Sequence, residues 1–252
     1  MGMGKITLLS SLTLFTCVGG TAFAGEQGSL VDIPVTKVYL PTRGYDDNDA
    51  IEVVVEGELP NPCYTLGKTI VGPVINNTFM VRQLAWRNIE GACGTGDLIE
   101  DPVPFTSVGS IGQLPMGEYR VQFTNDNGSN LKAFNVQRAE AKYIDNFGYA
   151  AIQTVDAQEI YYEGDEVFVT LNGIWTSKCQ ILKKPIEVDR DGDLFIVLPI
   201  LAHQDPLCEK TSAPFAEKVS LGRLTSGTYL VHSRSRGGKA IYRPFQVWPR
   251  VK

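Results

Sequence analysis

The sequence predicts an all-β chain: two antiparallel β-sandwich domains in tandem, arising from one duplicated unit. Three observations predict it. β-Branched runs of strand length recur between turn signals. No segment of helical length shows apolar residues at i, i+3, i+4 spacing. Two long segments can also be written one above the other with their cysteines in step.

The chain begins with a targeting segment. Lys5 precedes an uncharged apolar run, Ile6 to Val18, and Ala22-Phe23-Ala24 reads as a cleavage site. Residues 1–24 are therefore expected to be a signal peptide, followed by domains at 25–137 and 138–252. The alternative is a lipoprotein anchored at Cys17, from Leu14-Phe15-Thr16-Cys17; Phe15 and Thr16 depart from the small residues usual there. The apolar run is too short for a comfortable span and no later stretch is longer, so the mature chain is expected not to cross a membrane. Export sets the compartment as periplasmic or extracellular.

The two copies align from Tyr45 and Tyr161. Tyr45 to Ile51 lies over Tyr161 to Val167, Gly57 over Gly173, Cys63 over Cys179 and Phe79-Met80-Val81 over Phe195-Ile196-Val197, without a gap. Cys93 and Cys208 follow, then Pro104-Phe105 and Pro214-Phe215. Leu114-Pro115-Met116-Gly117-Glu118-Tyr119-Arg120-Val121 matches Leu224-Thr225-Ser226-Gly227-Thr228-Tyr229-Leu230-Val231. Phe134-x-Val136 and Phe245-x-Val247 close the copies. Four cysteines outside the signal allow three pairings. The repeat selects Cys63–Cys93 and Cys179–Cys208, each bridge contributing roughly 3–4 kcal/mol by restricting the unfolded chain.

Strands are expected at Ile51–Val55 and Val167–Leu171, with hairpin turns at Asn76-Asn77 and Asp191-Gly192. Asn125 to Gly128 and Arg236 to Gly238 punctuate the last hairpins. The Leu-x-x-Gly-x-Tyr-x-Val runs resemble the corner and penultimate strand of immunoglobulin-like domains, where a tyrosine bonds back across the corner. Val121 and Val231 stand at the core position instead of cysteine, so the resemblance is to the broad bacterial Ig-like class, at the level of fold, over most of residues 31–247. The join at Gln137 to Ala141 holds neither Pro nor Gly and reads as a short connection that limits the domains' mutual angles. Tyr143 to Tyr149 is an aromatic lead-in, read as an edge strand or interface packing.

Composition bounds the function. The chain has 252 residues, 43% hydrophobic and 20% charged, with net charge −5 and two histidines, His203 and His232. This fits a globular protein and argues against a nucleic-acid binder or a multi-His metal site. Asp189, Asp191 and Asp193 alternate around Gly192, as ligands of a hard cation do, but Asp and Gly also suit a hairpin turn. Asp46, Asp47 and Asp49 pose the same choice, and the turn reading is preferred in both. His203, Asp205 and Cys208 lie together, yet a disulfide removes the thiolate that catalysis would need. His232 reads as a half-exposed strand residue.

Two contact surfaces are expected. One is the inserted stretch around Gly94 and Asp97 with the preceding Trp86, because loops on rigid sandwiches carry recognition. The other is the basic C-terminal hairpin with Arg234, Arg236 and Lys239. Residues 25–137 hold 7 basic and 14 acidic side chains, residues 138–252 hold 15 and 14. The hairpin also reads as a solvated edge protected from aggregation by its charge, and that reading is preferred. Together these features point to an exported non-catalytic binding or scaffolding protein, without cofactor, whose partner is a protein or glycan at the cell envelope. A protease inhibitor presenting the Cys63–Cys93 loop is the second expectation. A carbohydrate-active enzyme using paired carboxylates is the third.

Overall fold

The computed structural model describes residues 28–89, 93, 101–125, 128–140, 147–158, 160–203 and 207–250. The described residues form strands joined by turns, with no α-helix among them. The expected signal peptide, Cys17, Gly94, Asp97 and Asp205 lie outside the described residues.

The first half runs β1 (Gly28–Ile33), β2 (Val35–Tyr39), β3 (Tyr45–Asp46), β4 (Ile51–Leu59), β5 (Tyr64–Val71), β6 (Thr78–Asn88), β7 (Val103–Gly112), β8 (Gly117–Asn125) and β9 (Gly128–Gln137). Its sheets are β2-β4-β7 and β1-β6-β8-β9-β3, with β5 also paired to β6. Pro34 separates β1 from β2, which lie in different sheets. Proline has no N–H to give to a ladder, so the change of sheet falls where pairing lapses. The two sheets enclose one core that includes Val53, Val55, Phe79, Val121 and Phe134.

The second half runs β10 (Ala151–Ala157), β11 (Ile160–Tyr162), β12 (Glu166–Ser177), β13 (Ile181–Leu182), β14 (Glu187–Asp191), β15 (Leu194–Leu198), β16 (Leu201–His203), β17 (Lys210–Arg223), β18 (Gly227–Ser235) and β19 (Lys239–Trp248). Here β10-β12-β17 faces β11-β19-β18-β15-β14, and β13 pairs β16. A second core holds Val167, Val169, Phe195, Val231 and Phe245.

The halves correspond in register. Tyr45 pairs with Val136 as Tyr161 does with Val247. Phe79 pairs with Val121 as Phe195 does with Val231. Tyr119 faces Phe134 and Tyr229 faces Phe245. Both tyrosine hydroxyls donate to the carbonyl four residues upstream, Pro115 and Thr225, each at 2.9 Å. Gly57 sits opposite Phe105 and Gly173 opposite Phe215. A Cβ on either glycine would fall 2.6 Å from the phenylalanine ring, so the ring occupies the space that a side chain would take.

The sandwiches are not wholly antiparallel. β6 runs parallel to β8 and β15 parallel to β18; β3 with β9 and β11 with β19 are also parallel. Between β6 and β8 the chain crosses to the opposite sheet as β7 and returns. Two crossings restore the direction, and the neighbours end up parallel. β17 plays the same part between β15 and β18. The expected turn at Asn76-Asn77 is present: both residues have positive φ (50° and 58°), and Ile75 and Thr78 exchange backbone hydrogen bonds at 2.9 Å. That conformation is the one a two-residue hairpin turn with matching twist demands. The disulfides are Cys63–Cys93 and Cys179–Cys208.

Candidate functional site

The two sandwiches meet along a third apolar cluster. Tyr39 and Val54 from the β2-β4 sheet pack against Leu194 and Leu230 from β15 and β18, with Ile196 and Tyr242 beside them. Strand alternation explains the arrangement. Val53 and Val55 point into their own core, and Val54 between them is covered by the other sandwich. Tyr229 and Val231 likewise point inward, while Leu230 and His232 point across. A strand covered on both faces reads as a continuous apolar run.

Polar contacts surround the cluster. Lys37 donates to the Thr228 carbonyl at 2.8 Å and pairs with Asp193 at 2.6 Å. Tyr242 donates to Glu52 at 2.8 Å, and the Thr42 amide donates to Asp191 at 2.9 Å. Arg234 donates to the Gly44 carbonyl at 3.0 Å and meets the Asp49 carboxylate at 3.4 Å. Asp49 also accepts from the Asp46 amide at 3.0 Å, which fixes the loop before β4.

At one end of this junction lies a cleft of about 570 Å³. The first half contributes the Pro41–Gly44 turn with Asp46 and Asp49. The second contributes Phe147, the Asp189–Asp191 strand, His232 and Arg234. His232 is buried and stacks edge-on to Tyr242, with ring centroids 5.1 Å apart. Burial, and then the Arg234 charge, push its pKa down to about 3, so the imidazole is neutral at physiological pH. Its Nε2 has no hydrogen-bond partner. The half-exposed position expected for His232 is corrected: the second face of β18 is covered by the first sandwich.

The other predicted residues are dispersed. Asp193 and Asp191 hold Lys37 and the Thr42 amide, and Asp189 is exposed at the cleft wall. Among the described residues no group of three or more His, Cys, Asp or Glu is arranged to hold a metal ion. Asp47 accepts from the Ala139 amide at 3.0 Å and so ties the inter-domain join to the first half. Arg234 lies inside the junction with only 13% of its side chain exposed, unlike the open basic surface expected for it. Arg236 is exposed and donates to Thr176, and Lys239 is exposed at the start of β19. Trp86 is half exposed on β6, remote in sequence from every cleft residue. Cys208 is disulfide-bonded and supplies no thiolate. Of the expected aromatic lead-in, residues 143–146 lie outside the described residues; Tyr149 is buried and forms an isolated bridge with Ile200.

Fold and disulfides define a β-sandwich protein. The family model for the ORF11 beta-sandwich domain matches residues 53–136, which span most of β4 through β9 of the first half. No curated protein and no solved structure matches the chain. No helix among the described residues is long and apolar enough to cross a membrane.

Proposed function

We propose that the chain is an exported, non-catalytic binding or scaffolding protein of the cell envelope or its surroundings. In this reading residues 1–24 are removed as a signal peptide, and two Ig-like sandwiches derived by duplication form the mature protein. The observation that carries the reading is the junction. Two sandwiches, each with a disulfide, share a buried apolar cluster and line one cleft together. A preformed concave site on a rigid frame lowers the ordering cost of binding. Disulfides accord with an oxidising compartment. Two of the four cleft carboxylates hold structural partners: Asp49 meets Arg234, and Asp191 accepts from Thr42.

The test is affinity capture by oxidised, tagged residues 25–252 from envelope and medium fractions of the source cells. Retention of an envelope protein, a glycan or a second copy of the chain supports the reading. Retention of a protease that the chain inhibits stoichiometrically replaces it with the inhibitor reading. Turnover of a polysaccharide that is lost on a single Asp or Glu substitution replaces it with an enzyme.

A further inference from the structure

We infer that the inter-sandwich cleft binds a neutral, hydroxyl-rich saccharide. The inference rests on the binding-module reading above and names the ligand class that the cleft fits.

Charge selects the class first. The lining mixes guanidinium groups (Arg43, Arg190, Arg234) with the carboxylates of Asp46, Asp49, Asp189 and Asp191; Arg234 meets Asp49, Asp191 accepts from Thr42 and Arg190 donates to the Gly192 carbonyl, while Arg43 and Asp189 stand exposed. An anionic ligand would face the carboxylates and a cation the guanidinium groups. A hydroxyl serves both, donating to a carboxylate and accepting from a guanidinium. Arg43 and Asp189 are exposed on opposite halves and line the same cleft, so one ligand can span the junction.

Two further observations favour a sugar over other polar molecules. Phe147 lines the cleft with 56% of its surface exposed. An aromatic face left open beside polar groups suits the apolar C–H face of a pyranose, with hydroxyls reaching the rim. The second is His232. It lines the cleft, and its Nε2 is buried without a hydrogen-bond partner. A buried nitrogen in that state costs free energy unless it is paired, and a ligand that reaches it on a small shift of the wall would complete it. The neutral imidazole offers one hydrogen bond without adding charge. The volume, about 570 Å³, lies within the usual range of small-ligand sites, about 300–1,000 Å³.

The test titrates the oxidised mature chain with glucose-, galactose-, mannose- and N-acetylglucosamine-based neutral trisaccharides. Calorimetry reads affinity, and NMR follows the His232 imidazole. At least one trisaccharide is expected to bind, shifting the His232 signals, with an affinity little changed by salt because no net charge is neutralised. Phe147→Ala, at an exposed position, is expected to weaken binding about three- to tenfold. Trp86→Ala, outside the cleft, is expected to leave it unchanged. Absence of binding by all four at about 10 mM overturns the inference. So does tighter, salt-sensitive binding of a sulfated oligosaccharide, or binding that Trp86→Ala abolishes and Phe147→Ala does not. If no sugar binds but capture still retains an envelope protein, the saccharide assignment falls and the binding-module reading stands. If both fail, both fall.

Discussion

Lys37 and Asp193 form an ion pair of 2.6 Å that joins the two sandwiches, with Lys37 also donating to Thr228. The side chains remain 29% and 46% exposed, and a pair so placed contributes about 1 kcal/mol at most. Docking therefore rests less on this pair than on the apolar cluster behind it and the nearly buried Arg234–Asp49 contact. Lys37→Ala is expected to change stability by no more than about 1 kcal/mol. Leu230→Ala, at a fully buried junction position, is expected to cost about 2–5 kcal/mol. Urea denaturation of both variants measures the difference.

Gly57 and Gly173 answer to the same constraint in the two halves. A methyl group at Gly57 would meet the Phe105 ring at 2.6 Å and the Pro34 carbonyl oxygen at 2.8 Å. At Gly173 it would meet Phe215 at 2.6 Å and the Ala151 oxygen at 2.5 Å. The ring and the backbone close in together, so neither can relieve the clash cheaply. Each Gly→Ala substitution is expected to destabilise by about 1–3 kcal/mol, read as a loss of thermal midpoint. A stabilised variant would contradict the packing.

The tyrosine corners give a matched pair of tests. Tyr119→Phe and Tyr229→Phe each remove a hydroxyl that bonds a carbonyl at 2.9 Å while keeping the ring in its aromatic stack. Each is expected to cost about 1 kcal/mol. Unequal costs would show that the two corners differ despite their common geometry.

His232 predicts a pH dependence. Its folded pKa is depressed to about 3 against about 6.5 for an exposed histidine. Between these values the unfolded chain binds the proton and the folded chain does not. Stability contributed by the neutral imidazole is therefore complete above pH 6.5 and declines as pH falls toward 3. The slope is at most about 1.4 kcal/mol per pH unit. His232→Gln is expected to flatten the stability profile between pH 6.5 and 4, whatever its effect at neutral pH. An unchanged slope would contradict the burial.

Much of the fold was legible because equivalent residues recur. Cys63 with Cys179, Gly57 with Gly173 and the Gly-x-Tyr-x-Val runs mark pairings that registers bear out. The parallel β6–β8 and β15–β18 pairs were not legible. Their partners are separated by a whole strand in the opposite sheet, and strand patterning carries no sign of direction. The junction was hidden for a different reason. Val54 and Leu230 look like ordinary members of apolar runs, and only the alternation of their neighbours into the cores shows that they face outward. Arg234 and His232 lie on the same covered face, where the alternation of β18 alone would leave them to solvent. Asp191 and Asp193 flank the expected turn at Gly192, but nothing in the pattern around it shows that their carboxylates grip the other sandwich.

The two sandwiches are docked as one unit whose junction forms the cleft. Differential scanning calorimetry of oxidised residues 25–252 distinguishes a docked unit from two independent domains. One cooperative transition is expected, with calorimetric and van't Hoff enthalpies equal, and a split into two transitions in Leu230→Asp, which places a charge in the apolar junction. Two independent transitions in the unmodified protein, unaffected by Leu230→Asp, would contradict it.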